Sequence, residues 1–147
     1  MTDDLVLRRQ VCFALYAASR ALTDVYRPIL DGFGLTYPQY LVLLVLGEYE
    51  EPPTVSVLGE RLHLDSGTLS PLLKRLAAAG LVARRRSAAD ERRVVVELTA
   101  QGRALRGRLA DVPQAVTQAT GLTAADLVEL RDTLTRLTET IHRQKEQ

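Results

Sequence analysis

Cysteine is almost missing from this chain: of 147 residues, only Cys12 carries a thiol. That scarcity excludes an intrachain disulfide and any thiolate metal cage. His63 and His142 stand isolated, with no cysteine or paired carboxylate at ligand spacing, so neither a metal nor a cofactor is expected. No apolar run approaches the roughly 20 residues that cross a bilayer, and no membrane partner is expected. The opening Met-Thr-Asp-Asp lacks the basic and apolar regions of a secretory signal, which predicts a cytoplasmic protein. Net charge is scarce as well. With 19 basic and 18 acidic residues, bulk charge favours neither nucleic acid nor membrane. Internal repeats and low-complexity linkers are absent. What is present is 46% hydrophobic residues, which excludes intrinsic disorder, in a length suited to one domain with a core.

Apolar spacing organises the chain. Val11, Leu15, Ala18, Leu22, Val25 and Ile29 alternate steps of four and three, predicting a helix from about Leu5 to Leu30. Pro28 is expected to kink or end it near Arg27. After a turn at Asp31–Gly34, Thr36-Tyr37-Pro38 opens a second helix through about Tyr49, apolar almost all round and therefore central. Thr54 caps a short helix to Leu62. His63-Leu64-Asp65 turns, and Ser66 or Asp65 caps a further helix stopped by Gly80. Leu81–Arg84 and Val94–Leu98 read as strands around a charged loop, Arg85–Arg93. Thr99 caps another helix, interrupted near Pro113 and ended near Gly121. Thr123-Ala124-Ala125-Asp126 resembles a capping box for the last helix, with Leu127, Leu130, Leu134, Leu137 and Ile141 on one seam.

The expected architecture is mainly α with a two-stranded β wing, a winged helix-turn-helix. The dimerisation helices are placed at 1–35 and 109–147, and the winged part at 36–108. Neither long helix can cover its apolar seam on such a core alone, and mutual burial in a homodimer is the economical solution.

The near-zero charge hides a partition. Arg61 to Arg108 holds eleven basic and four acidic residues, a net of +7, and the remainder is −6. Lys74 and Arg75 fall on the second helix of the helix-turn-helix, and Arg84, Arg85, Arg86, Arg92 and Arg93 surround the hairpin. A recognition helix presents short polar side chains to base edges in the major groove while phosphate contacts fix its register. Ser66, Thr68 and Ser70 stand at the N-terminal end, where such contacts concentrate. A basic wing can place an arginine in the adjacent minor groove. The partner these features point to is double-stranded DNA.

The run Leu62-His63-Leu64-Asp65-Ser66-Gly67-Thr68-Leu69-Ser70-Pro71-Leu72-Leu73-Lys74-Arg75-Leu76, with Gly80-Leu81-Val82, Asp90-Glu91-Arg92-Arg93 and Leu98-Thr99-Ala100-Gln101-Gly102, resembles the MarR family of winged-helix repressors. The resemblance covers essentially the whole chain. It implies a MarR-like homodimer on a palindromic operator, with Arg92 the wing-tip arginine and Asp90 its brace.

On its residues alone, Cys12 reads more readily as a small core residue than as a reactive thiol, and Arg8 and Arg9 one turn earlier could face it or face water. Tyr26, fourteen residues on, lies about 21 Å away along a straight helix and cannot reach the Cys12 of its own chain. Cys12–Arg20, Tyr26-Arg27-Pro28, Leu35–Tyr40 and Leu64–Leu69 resemble the organic hydroperoxide sensors of the family, called OhrR. The resemblance implies that Cys12 is the redox sensor, oxidised by organic hydroperoxides to a sulfenic acid, and that Tyr26 and Tyr37 hydrogen-bond it from the partner subunit. Some relatives resolve the sulfenic acid with a C-terminal cysteine. Thr123–Gln147 has none, so a low-molecular-weight thiol adduct, overoxidation or the sulfenic acid itself remains. A second reading keeps the DNA binding and makes the effector a phenolic or other small aromatic ligand held at the dimer–wing junction, with Cys12 inert. A thiol peroxidase would leave the basic helix-turn-helix unexplained, and no enzyme is expected.

Overall fold

The computed structural model describes residues 5–147, so the opening Met-Thr-Asp-Asp, read above for a secretory signal, lies outside the described residues. The chain divides into two compact units, one reaching Ala110 and the other Asp111–Gln147.

In the first unit a short 3-10 turn, Leu7–Arg9, precedes helix α1, Val11–Asp31. The helix therefore starts six residues later than its apolar spacing suggests. A start at Leu5 would put Arg8 and Arg9 in the first turn, against the positive end of the helix dipole. Pro28 sits inside α1 and does not end it. Its missing N–H frees only the Asp24 carbonyl, two turns from the end on an exposed stretch.

Helix α2, Tyr37–Leu46, opens with a capping box in which Thr36 Oγ1 accepts from the Gln39 N–H and Gln39 Oε1 accepts from the Thr36 N–H. It ends three residues before Tyr49, where the acidic run Glu48, Glu50 and Glu51 would oppose the negative end of the dipole. Helix α3, Val55–Leu62, is capped by Thr54. The turn to helix α4, Ser66–Ala78, passes through His63 at φ 55°. Leu64 N–H donates to the Gly59 carbonyl at 2.9 Å, and a Cβ on Gly59 would crowd the Leu64 carbonyl. Asp65, not Ser66, is the cap, accepting from the Thr68 N–H at 2.7 Å.

Strands β1, Val82–Arg86, and β2, Val94–Leu98, pair antiparallel from Val82↔Leu98 to Arg86↔Val94. Arg85 and Arg86 thus belong to the strand rather than to the loop, because Val95 and Val94 supply the opposite register. The other side of β2 takes up the preceding loop, with a Thr54↔Val95 bridge and Val96 N–H on the Pro53 carbonyl at 2.9 Å. Helix α5, Ala100–Arg108, starts at the Thr99 cap.

Helix α2 is the centre, packed against α1, α3, α4, α5 and β2. Leu43, Leu58, Leu69, Leu73, Leu76 and Val96 are essentially fully buried, each large aliphatic contributing about 1.5–3 kcal/mol on leaving water.

The second unit comprises helix α6, Val112–Thr120, ended by Gly121 in the left-handed region, and helix α7, Ala124–Lys145, capped by Thr123. Helix α7 has no buried residue, and Leu130, Leu137 and Ile141 stand open. On α1, Val11 and Leu22 are open too. Each apolar seam is partly open in a single chain, with Leu15, Val25 and Ile29 on α1 and Leu127 and Leu134 on α7 half-buried, as an interface would require. Among the described residues no helix is long and apolar enough to cross a membrane.

Candidate nucleic-acid interface and redox site

The helix-turn-helix sorts its side chains by face. On α4, Leu69, Leu72, Leu73 and Leu76 are buried, while Ser66, Ser70 and Lys74, at steps of four, and Thr68 and Arg75 beside them are exposed. Asp65 gives its carboxylate to the N–H of Thr68, and this bond holds its pKa below the usual carboxylate value. The N-terminal turn of the exposed face is thereby fixed, and its hydroxyls project from a rigid base.

The wing is built on backbone and one carboxylate. Ser87 N–H donates to the Arg93 carbonyl at 2.8 Å, closing the hairpin, and Arg86 Nη1 donates to the Glu91 carbonyl at 2.9 Å. Asp90 Oδ1 accepts from the Arg92 N–H at 3.1 Å and from Arg92 Nε at 3.2 Å, and its other oxygen lies 3.6 Å from Arg93 Nε. These bonds from Arg92, with the charge of Arg93, depress the pKa of Asp90. Arg84 and Arg86 share one face of β1. Arg85 is on the other, paired with Glu97 at 3.5 Å. All the basic residues singled out by position on α4 and the wing are exposed.

A cluster of rings occupies the junction of α1 and α2. Tyr26 and Tyr37 have centroids 4.7 Å apart, and Tyr40 lies 5.7 Å from Tyr26 and 6.1 Å from Tyr37. Burial first, then the proximity of Tyr37 and Tyr40, pushes the Tyr26 pKa up to about 12; burial raises those of Tyr37 and Tyr40 as well. The three phenols therefore stay protonated at neutral pH and keep their O–H donors. Sequence reading missed Tyr40. Its spacing of three from Tyr37 on one helix was the available signal.

Cys12 is exposed, on the first turn of α1 beside exposed Val11, Phe13 and Tyr16. Because α1 is continuous through Tyr26, the separation of about 21 Å stands. One chain brings Tyr26 and Tyr37 together and does not bring Cys12 to them. Among the described residues no group of His, Cys, Asp or Glu could hold a metal ion.

A short helix-turn-helix followed by a basic two-stranded hairpin defines a winged-helix DNA-reading regulator. Comparison with known proteins agrees. The family model described as transcriptional regulator SarA/Rot matches residues 24–109. The organic hydroperoxide resistance transcriptional regulator of Bacillus subtilis (strain 168) is 46% identical over 140 residues, 95% of each chain. The structure of reduced AbfR bound to DNA matches with a TM-score of 0.75 at 34% identity, covering 95% of this chain and 96% of that one. That of overoxidized AbfR bound to DNA matches with a TM-score of 0.69 at 38% identity, covering 92% and 97%. The chain belongs to the MarR-type family of winged-helix transcriptional regulators, whose members are regulators and not enzymes.

Proposed function

We propose that the chain is a redox-sensing transcriptional repressor of the cytoplasm. Two copies form a homodimer through 1–35 and 109–147, and each presents its 36–108 part to half of a palindromic DNA operator. Ser66, Thr68 and Ser70 face base edges, and Lys74, Arg75, Arg84, Arg86 and Arg93 meet phosphates. Arg92, braced by Asp90, enters the minor groove.

Cys12 is the sensor. Its thiolate attacks the terminal oxygen of an organic hydroperoxide; the O–O bond breaks, the sulfur becomes a sulfenic acid, and the alkoxide leaves to take a proton as alcohol. Tyr26 and Tyr37 of the partner subunit donate to the reduced sulfur, and oxidation removes that arrangement. The dimer helices shift, the spacing of the two recognition helices changes, and the operator is released. With no second cysteine in the chain, a small thiol then caps the sulfenic acid, losing water as the S–S bond forms. AbfR is bound to DNA in both reduced and overoxidized forms, which directs attention to the sulfenic acid or its thiol adduct as the releasing species.

The observation that carries this reading is an exposed cysteine on the first turn of α1 in a chain that matches a hydroperoxide-resistance regulator over 95% of both lengths. The test is an operator shift with reduced protein before and after cumene hydroperoxide. Wild type lets go and Cys12→Ser stays bound. Release of Cys12→Ser on oxidation overturns the reading.

A further inference from the structure

We propose that Arg106 is a positioning residue that ties the tyrosine end of the molecule to the DNA-reading helix, and that residue 47 is glycine to admit it. The proposal rests on the Cys12 reading above.

Gly47 follows α2 at φ −69° and ψ −13°, a backbone that any residue adopts. Glycine there answers no conformational need. It answers a spatial one, because a Cβ would overlap the Cδ, Nε and Cζ atoms of Arg106. The guanidinium occupies the space beside Gly47 and reaches back into α2. Arg106 Nε donates to the Leu43 carbonyl at 3.1 Å, and Nη2 donates to the Leu44 carbonyl at 3.2 Å. Those carbonyls belong to the last turn of α2, where the dipole is negative; that of Leu43 also accepts from the Gly47 N–H at 3.3 Å. A half-buried cation is well matched to both carbonyls.

The other end of α5 is clamped as firmly. Thr99 Oγ1 donates to the Gly80 carbonyl at 2.6 Å and Thr99 N–H to the Leu81 carbonyl at 3.1 Å. Gly102 rests on the Leu81 carbonyl, where a Cβ would overlap it. Gly80 and Leu81 are the exit of α4. Helix α2 meanwhile carries Tyr37 and Tyr40 on its first turn, against Tyr26. The route runs from the tyrosines along ten residues of α2, through Arg106 to α5, and from Thr99 and Gly102 to the end of the recognition helix. Both joints grip backbone carbonyls, so they hold helix axes rather than side-chain rotamers. A shift of α2 either carries α5 with it or breaks two charge-assisted bonds.

The experiment measures operator affinity by fluorescence anisotropy, reduced and after cumene hydroperoxide, for wild type, Arg106→Met, Gly47→Ala and Arg106→Lys. Arg106→Met keeps the length and removes the donors. Gly47→Ala leaves the backbone unstrained and displaces the outer atoms of Arg106. Each is expected to cut the oxidation-induced loss of affinity by about fivefold or more, the scale of an ordinary coupling between sites, while reduced-state affinity stays within about threefold. Arg106→Lys, whose ammonium reaches a carbonyl, recovers part of the response. Gly47→Ala adds nothing in an Arg106→Ala background, where no long side chain is left for it to displace.

If wild type responds and the response of both variants is unchanged, the tie is wrong. A loss of melting temperature and reduced-state affinity with the response preserved marks a merely structural residue and also overturns it. If wild type holds its operator after oxidation, the sensor reading fails and this proposal with it. Should Arg106→Met fail to fold, Gly47→Ala decides alone.

Discussion

Removing the Asp90 carboxylate sets two effects of opposite sign against each other. Asp90→Ala makes each protomer more positive by one charge and a dimer by two, so on charge alone binding to any duplex rises. Against this stands the geometry of the wing. The Arg92 side chain is 91% exposed, and Asp90 Oδ1 holds both its N–H and its Nε. Without the carboxylate, Arg92 must be ordered by the DNA itself. Immobilising one such side chain costs about 0.5–1.5 kcal/mol. Two wings double that, and operator affinity falls about five- to 150-fold. The fold is little affected, since exposed pairs of this kind contribute little to stability. Anisotropy with the operator and with a scrambled duplex of equal length separates the two effects: the first weakens while the second tightens. Asp90→Ala should cost nothing more in an Arg92→Ala background. Parallel tightening on both duplexes would make Asp90 a solvated charge and refute the brace. The sign of its titration agrees with a brace that is always set. A depressed pKa keeps the carboxylate's contribution complete above the ordinary aspartate value and loses it only as pH falls through the folded one. Operator binding between about pH 5 and 8 therefore carries no Asp90 transition.

The tyrosine cluster predicts a late phenolate. With Tyr26 at about 12 in the fold against an ordinary 10, the cluster's contribution to stability is complete below pH 10 and lost as pH rises through 12; an ultraviolet titration should show this step in wild type and lose it in Tyr26→Phe. Leu43, fully buried at the centre of α2, should cost about 2–5 kcal/mol on truncation to alanine, measured by urea unfolding. Thr99→Ala removes the α5 cap and the donor to Gly80 together and should cost about 1–2 kcal/mol, with Thr99→Ser recovering most of it. A loss no larger than that of an exposed threonine would deny Thr99 its joint role.

What could be read from the residues followed the range of the interaction. Thr54, Thr99 and Thr123 were legible as caps because each bond closes within three residues. The length of β1 was not legible, since three successive arginines carry little strand preference and the register comes from Val94 and Val95 across the hairpin. Tyr40 was hidden because α2 is apolar almost all round, so no periodicity assigns its residues to a face. Gly47 was not legible at all, since the apolar run carries the expected helix past it to Tyr49 and its reason lies on another helix.

Charge was legible by position and misleading in total. A sum near zero says nothing of a field, because screening confines each group to its own surroundings within about 10 Å. The segment from Arg61 to Arg108 keeps its excess of seven positive charges whatever the rest of the chain carries. Its arginines on β1 and in the hairpin loop are exposed. Dimerisation doubles the acidic and basic segments alike and cancels neither. Duplex DNA, approaching such a molecule, meets its strongest attraction at α4 and the wing. The sorted charge therefore orients the encounter before any base is read, and lowering the salt should raise the association rate with operator more steeply for wild type than for Arg84→Ala.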